Sequence, residues 1–284
     1  MSVTVHAPSK INLTLDIVGT RPDGYHLLES IFQSVSICDT IVARKKLGKG
    51  ITLIAPGCDC PTEKNTAYKA AMAFMTYTGI RKGIHLTLIK RIPTQAGMGG
   101  GSADAAGVLV ALNRLFKTDL TAEQLCEIGV QVGADVPFCI VGGTAYVTGI
   151  GEKIRPLPPL PDCHVVIAQP QEGISTKEAY AAVDNAEILA RPDNAAAIAA
   201  LAEGDLPGLC RQAVNVFEVA TELAGVADIR RRMETFHPLC SQMTGSGSCV
   251  FAVFTDRVTA MECNLELRKH YPTAFVCEPC NGII

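Results

Sequence analysis

Pro93-Thr94-Gln95-Ala96-Gly97-Met98-Gly99-Gly100-Gly101-Ser102-Ala103-Asp104-Ala105 is the stretch on which the reading of this 284-residue chain turns. Alternating residues up to Ile92 predict a strand leading in, and the pattern after Ser102 predicts a helix capped by that serine leading out. Four glycines occupy the five positions from Gly97 to Gly101. Glycine permits positive φ and close backbone approach, but each one costs conformational entropy, so four in a simple strand-to-helix turn would be wasteful. A helix N-terminus adds free N–H donors and partial positive charge, which suits phosphate groups. No Gly-Lys-Ser/Thr follows, so this is not a P-loop. Ser102 stands where a dinucleotide fingerprint needs its third glycine.

Without a P-loop lysine, positive charge must come from elsewhere. Lys10, in Ala7-Pro8-Ser9-Lys10-Ile11-Asn12-Leu13, is the only charged side chain before Leu15. Taken alone it also reads as a surface lysine lying along apolar neighbours. Asp135, in Gly133-Ala134-Asp135-Val136-Pro137-Phe138, is the only charged residue between Gly129 and Gly151. A carboxylate entering an apolar segment is costly unless paired or functional, although an Asp before Val-Pro also suits a turn. A further small-residue loop runs Met243-Thr244-Gly245-Ser246-Gly247-Ser248-Cys249, and Gly19-Thr20-Arg21-Pro22-Asp23-Gly24 reads as a turn ahead of Tyr25-His26.

Periodicity places strands at residues 2–7, 40–46, 51–55, 84–92, 164–168, 249–254 and 274–277. Helical patterns cover 66–77, 102–116, 176–183, 192–202 and 206–219, and Thr121 with Gln124 begins another through a capping box. Pro156, Pro158, Pro159 and Pro161 mark a linker across 154–163. The mixture in both halves predicts an α+β protein of two domains, 1–155 and 156–284.

The composition is 48% hydrophobic and 19% charged, with a net charge of −3. Such a chain can build a core, and its charge argues against an electrostatic nucleic-acid binder. No apolar run of membrane-spanning length occurs, and the N-terminus has no signal-peptide pattern, so a cytoplasmic protein is expected. Its twelve cysteines are then reduced thiols. Cys58-Asp59-Cys60 and Cys277-Glu278-Pro279-Cys280 have metal-like spacing, but zinc pairs usually come in tighter sets with a nearby His.

Together, and in order along most of the chain, these segments resemble the GHMP kinase superfamily. The resemblance rests on Pro8-Ser9-Lys10-Ile11-Asn12-Leu13, Arg21-Pro22-Asp23-Gly24-Tyr25-His26, the glycine loop 93–105, Gly133–Phe138 and Met243–Cys249. Met98 stands where leucine is commoner. Pro-Asp-Gly-Tyr-His with Gly-Gly-Gly-Ser points to the branch of the non-mevalonate isoprenoid route, which phosphorylates the 2-hydroxyl of a methylerythritol carrying a cytidine diphosphate.

That resemblance implies a ribosomal-protein-S5-like N-terminal domain and a ferredoxin-like C-terminal domain, with ATP and substrate in the cleft between them. It implies Asp135 as base and Lys10 beside it, with ATP held by Pro93, Thr94, Gln95, Ala96, Gly97, Met98, Gly99, Gly100, Gly101, Ser102 and Ala103, and by Asn65 at the adenine. Asn12, Tyr25, His26, Phe32, Thr176 and Tyr180 would form the substrate pocket, with Tyr25 stacked on cytosine, His26 bonding its edge and Tyr180 facing it from the second domain. Mg2+ would accompany ATP; Ser102 is a candidate ligand, and the glutamate used by some members is not placed here. A homodimer is compatible with the sequence. The competing readings are a kinase for a sugar, homoserine or a mevalonate-type alcohol, and a nucleotide-binding module without catalysis. A cytidine reader needs the aromatic platform of Tyr25-His26, and a non-catalytic module has no need of both Lys10 and Asp135.

Overall fold

The computed structural model describes residues 2–58 and 60–283. Asp59, inside the Cys58–Cys60 pair, lies outside them.

The chain opens with two long strands, β1 (Ser2–Thr20) and β2 (His26–Lys46), followed by β3 (Ile51–Ile54). Helix α1 (Thr66–Thr78) leads to β4 (Gly83–Ile89), α2 (Gly100–Phe116), α3 (Ala122–Val130) and α4 (Val136–Val141). Strands β5 (Thr144–Gly149) and β6 (Lys153–Pro156) complete a six-stranded sheet. β1 lines one edge of β2, while β4 pairs with its end at 40–46 and β5 with its beginning at 28–33. The β1–β2 register shifts at Pro8/Ser9 and again at Asn12/Thr14. Such irregularities re-aim side chains, and these two bracket Lys10 and Asn12.

The second half runs β7 (His164–Ala168), α5 (Thr176–Asn185), α6 (Asn194–Ala202), α7 (Leu206–Cys210), α8 (Val216–Thr221) and α9 (Ala224–Glu234). It ends with β8 (Cys240–Met243), β9 (Val250–Phe254), α10 (Arg257–Arg268) and β10 (Ala274–Cys277). Its four strands form an antiparallel sheet in the order β10-β7-β9-β8. Val165 and Ile167 belong to one core cluster and Val166 and Ala168 to another, so both faces of this sheet are covered. That explains why β7 and β9 read as continuous apolar runs rather than alternations. The first cluster extends without interruption from α1 and α2 to Phe251 and Val253.

Helix α2 lies at the centre of the first half, with eleven of its residues buried. A Cβ on Gly107 would stand 2.4 Å from Ile41 Cδ1, so this mid-helix glycine lets the helix approach the sheet. Asn65 caps α1 through the Ala67 N–H, and the expected Thr121/Gln124 capping box opens α3. Each such cap contributes about 1 kcal/mol.

Three expectations are corrected. Ser102 does not cap α2: the helix starts at Gly100 behind Gly99, whose φ of 68° only glycine adopts easily. The segment 206–219 is not one helix, because Asn215 takes an extended conformation and caps a new one, α8. The linker is shorter than 154–163, since Pro156 closes edge strand β6, where a missing N–H is tolerated. The division after residue 155 therefore falls within β6. The α+β architecture of two sheets is as expected, and no helix among the described residues is long and apolar enough to cross a membrane.

Candidate active site

A cavity of about 1020 Å³ is lined from both halves of the chain. Its floor is the glycine loop. Gly97, with φ 71°, packs so closely on the later loop that a Cβ there would sit 2.0 Å from Thr244 O. Met98 points into the core, and its carbonyl accepts from Ser9 Oγ at 2.9 Å and Lys10 N at 3.2 Å. Pro93 through Ser102 all line the cavity. Gly100, Gly101 and Ser102 precede the first intrahelical bond, which Ala103 N–H gives to Gly99 O at 2.8 Å. Their N–H groups are those a helix leaves without an intrahelical partner. Ala103 does not reach the lining: its N–H is engaged and its methyl is fully buried, because the helix begins three residues earlier than a Ser102 cap would start it.

Lys10 stands above this floor. Its side chain is 5% exposed, its Nζ lies 3.6 Å from Asp135 Oδ2, and Asp135 is 29% exposed at the start of α4. Lys10 Nζ donates to Asn12 Oδ1 at 2.7 Å and sits 4.7 Å over the Phe32 ring. Phe32 is itself buried, edge-on to Phe138 at 5.1 Å. A buried ammonium without partners would be severely destabilising; here an amide oxygen, an aromatic face and a carboxylate surround it.

One end of the cavity is lined by Cys58, Cys60, Lys64, Asn65 and Thr66. Asn65 Oδ1 is occupied by the α1 cap, at 2.9 Å from Ala67 N. Lys90 and Asp104 also reach the lining. Lys90 Nζ donates to Asp104 at 2.7 Å and to Asp39, while Asp39 accepts the N–H groups of Arg91 and Ile92 at 2.5 and 2.9 Å. Burial works against the charge on Lys90, but Asp104 and Asp39 outweigh it and raise its pKa. Burial drives Asp104 up to about 8, against the lowering effect of Lys90, with Asp39 adding to the rise. Among the described residues Asp104 Oδ1 has no hydrogen-bond partner.

The other end is aromatic. Tyr180 of α5 stacks on His26 with ring centroids 4.5 Å apart, and Phe217 packs edge-on to Tyr180 at 4.9 Å. His26 Nε2 lies 2.7 Å from Asp184 Oδ1. Burial pushes the Tyr180 phenol up to about 12, helped by Asp135. Thr176 lines the cavity with its hydroxyl 3.4 Å from Ser246 Oγ. Tyr25 is 60% exposed and does not reach the lining. Tyr180 and His26 already cover each other, so Tyr180 does not offer Tyr25 an opposing face in this arrangement.

The structure thus brings together Lys10, Asn12, Phe32, Asp135, the glycine loop, Asn65, Thr176 and Tyr180. It leaves Tyr25 outside and His26 behind Tyr180. Sequence reasoning missed Asp39, Lys90, Asp104, Phe217 and Thr244. Asp104 lay inside the quoted loop and Thr244 inside the later one, but nothing local marked their partners. Among the described residues no group of three or more His, Cys, Asp or Glu is arranged to hold a metal.

A mixed two-sheet fold with a glycine loop feeding a buried helix is the architecture this chain shares with the GHMP kinases. The family of GHMP kinases N terminal domains matches residues 65–143. A solved homoserine kinase from Cytophaga hutchinsonii shares the fold, with a TM-score of 0.78 over 99% of this chain and 95% of that one, at 21% identity. A solved 4-(cytidine 5'-diphospho)-2C-methyl-D-erythritol kinase superposes with a TM-score of 0.84 at 31% identity, covering 99% of this chain and 100% of its own. The chain is 40% identical over 275 residues to 4-diphosphocytidyl-2-C-methyl-D-erythritol kinase of Clostridium tetani, covering 96% of this chain and 98% of that protein. It is 41% identical to the like-named protein of Carboxydothermus hydrogenoformans, covering 93% of this chain and 92% of that one. The chain belongs to the 4-diphosphocytidyl-2-C-methyl-D-erythritol kinase family.

Proposed function

We propose that this chain transfers the γ-phosphoryl group of ATP to the 2-hydroxyl of 4-diphosphocytidyl-2-C-methyl-D-erythritol, a step of non-mevalonate isoprenoid synthesis. The observation that carries the chemistry is the Lys10–Asp135 contact of 3.6 Å beside the glycine loop. Asp135, partly open to the cavity, takes the proton of the alcohol as its oxygen bonds to the γ-phosphorus. The bond from that phosphorus to the bridging oxygen of ADP breaks, and ADP leaves with the electron pair. Lys10, 3.6 Å from Asp135, counters charge on the transferring group. Phosphoryl transfer depends chiefly on positioning and charge stabilisation, so this small set suffices.

The fit of ATP rests on the cradle at Gly97–Ser102, where a side chain on Gly97 would collide with the Thr244 carbonyl and one on Gly99 would crowd Lys10, and where the first N–H groups of α2 have no intrahelical partner. Mg2+ would arrive on the ATP phosphates and needs few protein ligands, which accords with Ser102 as the one hydroxyl at the start of α2. The adenine end is assigned to Lys64–Thr66. The cytidine end is assigned to Tyr180, Thr176 and Phe217 with His26 behind them. Tyr25, exposed on the adjoining turn, is assigned to stack on cytosine. The two sheets are assigned to lobes 1–155 and 156–284.

The test is ATP- and Mg2+-dependent phosphorylation of the cytidylated alcohol, run beside homoserine, mevalonate and galactose, with Asp135→Asn as control. Turnover of the cytidylated alcohol alone, lost in the variant, is the expected result. Turnover of another alcohol would overturn the substrate assignment and keep the kinase.

A further inference from the structure

We propose that Thr244, in the later glycine loop, is a positioning residue for the Lys10–Asp135 pair and acts through Asn12. The inference rests on the kinase reading above and extends it to a residue of the second half.

Asn12 N–H donates to Thr244 Oγ1 at 2.9 Å, and that oxygen lies 3.3 Å from Asn12 Oδ1, within reach for the threonine hydroxyl to donate back. Asn12 Oδ1 also accepts from Lys10 Nζ at 2.7 Å, while Asn12 Nδ2 donates to Ser30 Oγ at 3.0 Å. Three bonds therefore set which way the carboxamide faces, and its oxygen side is shared between Lys10 and Thr244. Were the amide reversed, its NH2 would confront the ammonium of Lys10. Thr244 is fully buried and Asn12 nearly so, which leaves no water to substitute for a lost hydroxyl.

Thr244 is itself held from behind. Asn215 Nδ2 donates to Met243 O at 2.8 Å and to Gly245 O at 2.9 Å, gripping the loop on both sides of the threonine. Gln242 Nε2 donates to the carbonyls of Asn12 and Leu13, fastening the loop's own strand to β1. The same Asn215 accepts from Phe217 N–H at 3.0 Å, and Phe217 lines the substrate end of the cavity. The second half thus orients an amide of the first, and that amide aims Lys10 at Asp135.

Thr244→Val removes the hydroxyl at constant shape; Thr244→Ala does so without a second γ-methyl, should valine impair folding; Thr244→Ser retains it. We expect kcat to fall about 10-fold or more in the valine and alanine variants, a scale set by sub-ångström misplacement of a reacting group. KM for ATP and for the alcohol should stay within about 3-fold, and serine should restore kcat. Reduced thermal stability with kcat unchanged below the melting range would overturn the proposal, as would a serine variant as slow as valine. Crystal structures give a readout that does not depend on the identity of the substrate. In Thr244→Val and Thr244→Ala the Lys10 Nζ–Asn12 Oδ1 contact should open beyond hydrogen-bond distance, and in Thr244→Ser it should persist. Persistence in the valine and alanine variants would overturn the proposal even if the parent protein phosphorylated none of the alcohols.

Discussion

Lys10 Nζ stands 3.6 Å from Asp135 Oδ2, the lysine buried in a bulged strand and the aspartate half-open at a helix start. The asymmetry has a chemical use. The cation is held away from water, where its field is strong, and the carboxylate stays accessible to an incoming hydroxyl.

Lys10→Met separates charge from packing, since the methionine keeps an unbranched stem over Phe32. We expect kcat to fall by about 100-fold or more. Stability should change by no more than about 1 kcal/mol, because removing a buried charge offsets the lost pairing of a partly solvated aspartate. Steady-state kinetics beside a denaturant titration checks both. A large loss of stability together with activity would make Lys10 structural.

Tyr25→Ala should raise KM for the cytidylated alcohol and leave KM for ATP nearly unchanged, because Tyr25 carries an exposed ring and supports no core contact. Tyr180→Ala should raise the same KM and also lower the melting temperature, since its ring packs on both His26 and Phe217. Calorimetric binding of cytidine diphosphate to the two variants distinguishes them. Unaltered affinity in Tyr25→Ala would remove that residue from the pocket.

Gly97→Ala places a methyl 2.0 Å from the Thr244 carbonyl in a residue with φ 71°. Strain and overpacking together should cost about 2–4 kcal/mol. Thermal melts should show the loss, accompanied by weaker ATP binding. An unchanged melting temperature would mean that the two glycine loops do not meet as described.

The Asp39–Lys90–Asp104 cluster predicts a pH dependence. The Asp104 carboxyl, near 3.8 in an open chain, rises to about 8 in the folded protein, chiefly through burial. Between those values the native state retains a proton that the unfolded chain has released. This group's contribution to stability is therefore fully present below about pH 4 and is lost as pH rises towards 8. Asp104→Asn, which mimics the protonated acid, should flatten that decline in urea titrations from pH 4 to 8; an identical slope would refute the assignment. Asp39→Asn should instead cost about 3–5 kcal/mol, because it breaks the buried pair that Asp39 makes with Lys90.

Segments whose own pattern carried their structure were legible in the chain. Glycines from Gly97 to Gly101 announced a close-packed turn into a helix, and the periodicity of 66–77 and the Thr121–Gln124 pair announced further helices. Lys10 and Asp135 could be singled out because each is a lone charge in an apolar stretch, although their meeting was supplied by resemblance. Other features depended on partners distant in sequence. β1 and β2 are far longer than their alternation suggested, because core and cavity bury successive residues on both faces. Gly99 set the start of α2, where serine had seemed the better cap.

The sequence by itself determined the α+β character, the phosphate-type loop and the two charges most worth attention, since each follows from local propensity or local cost. Only the tertiary structure decided that Tyr180 would cover His26 rather than face Tyr25. It alone placed Asp39 and Asp104 on one lysine and Thr244 against Asn12. Those outcomes depend on which buried polar groups can reach one another once water is excluded, and no spacing along the chain encodes that.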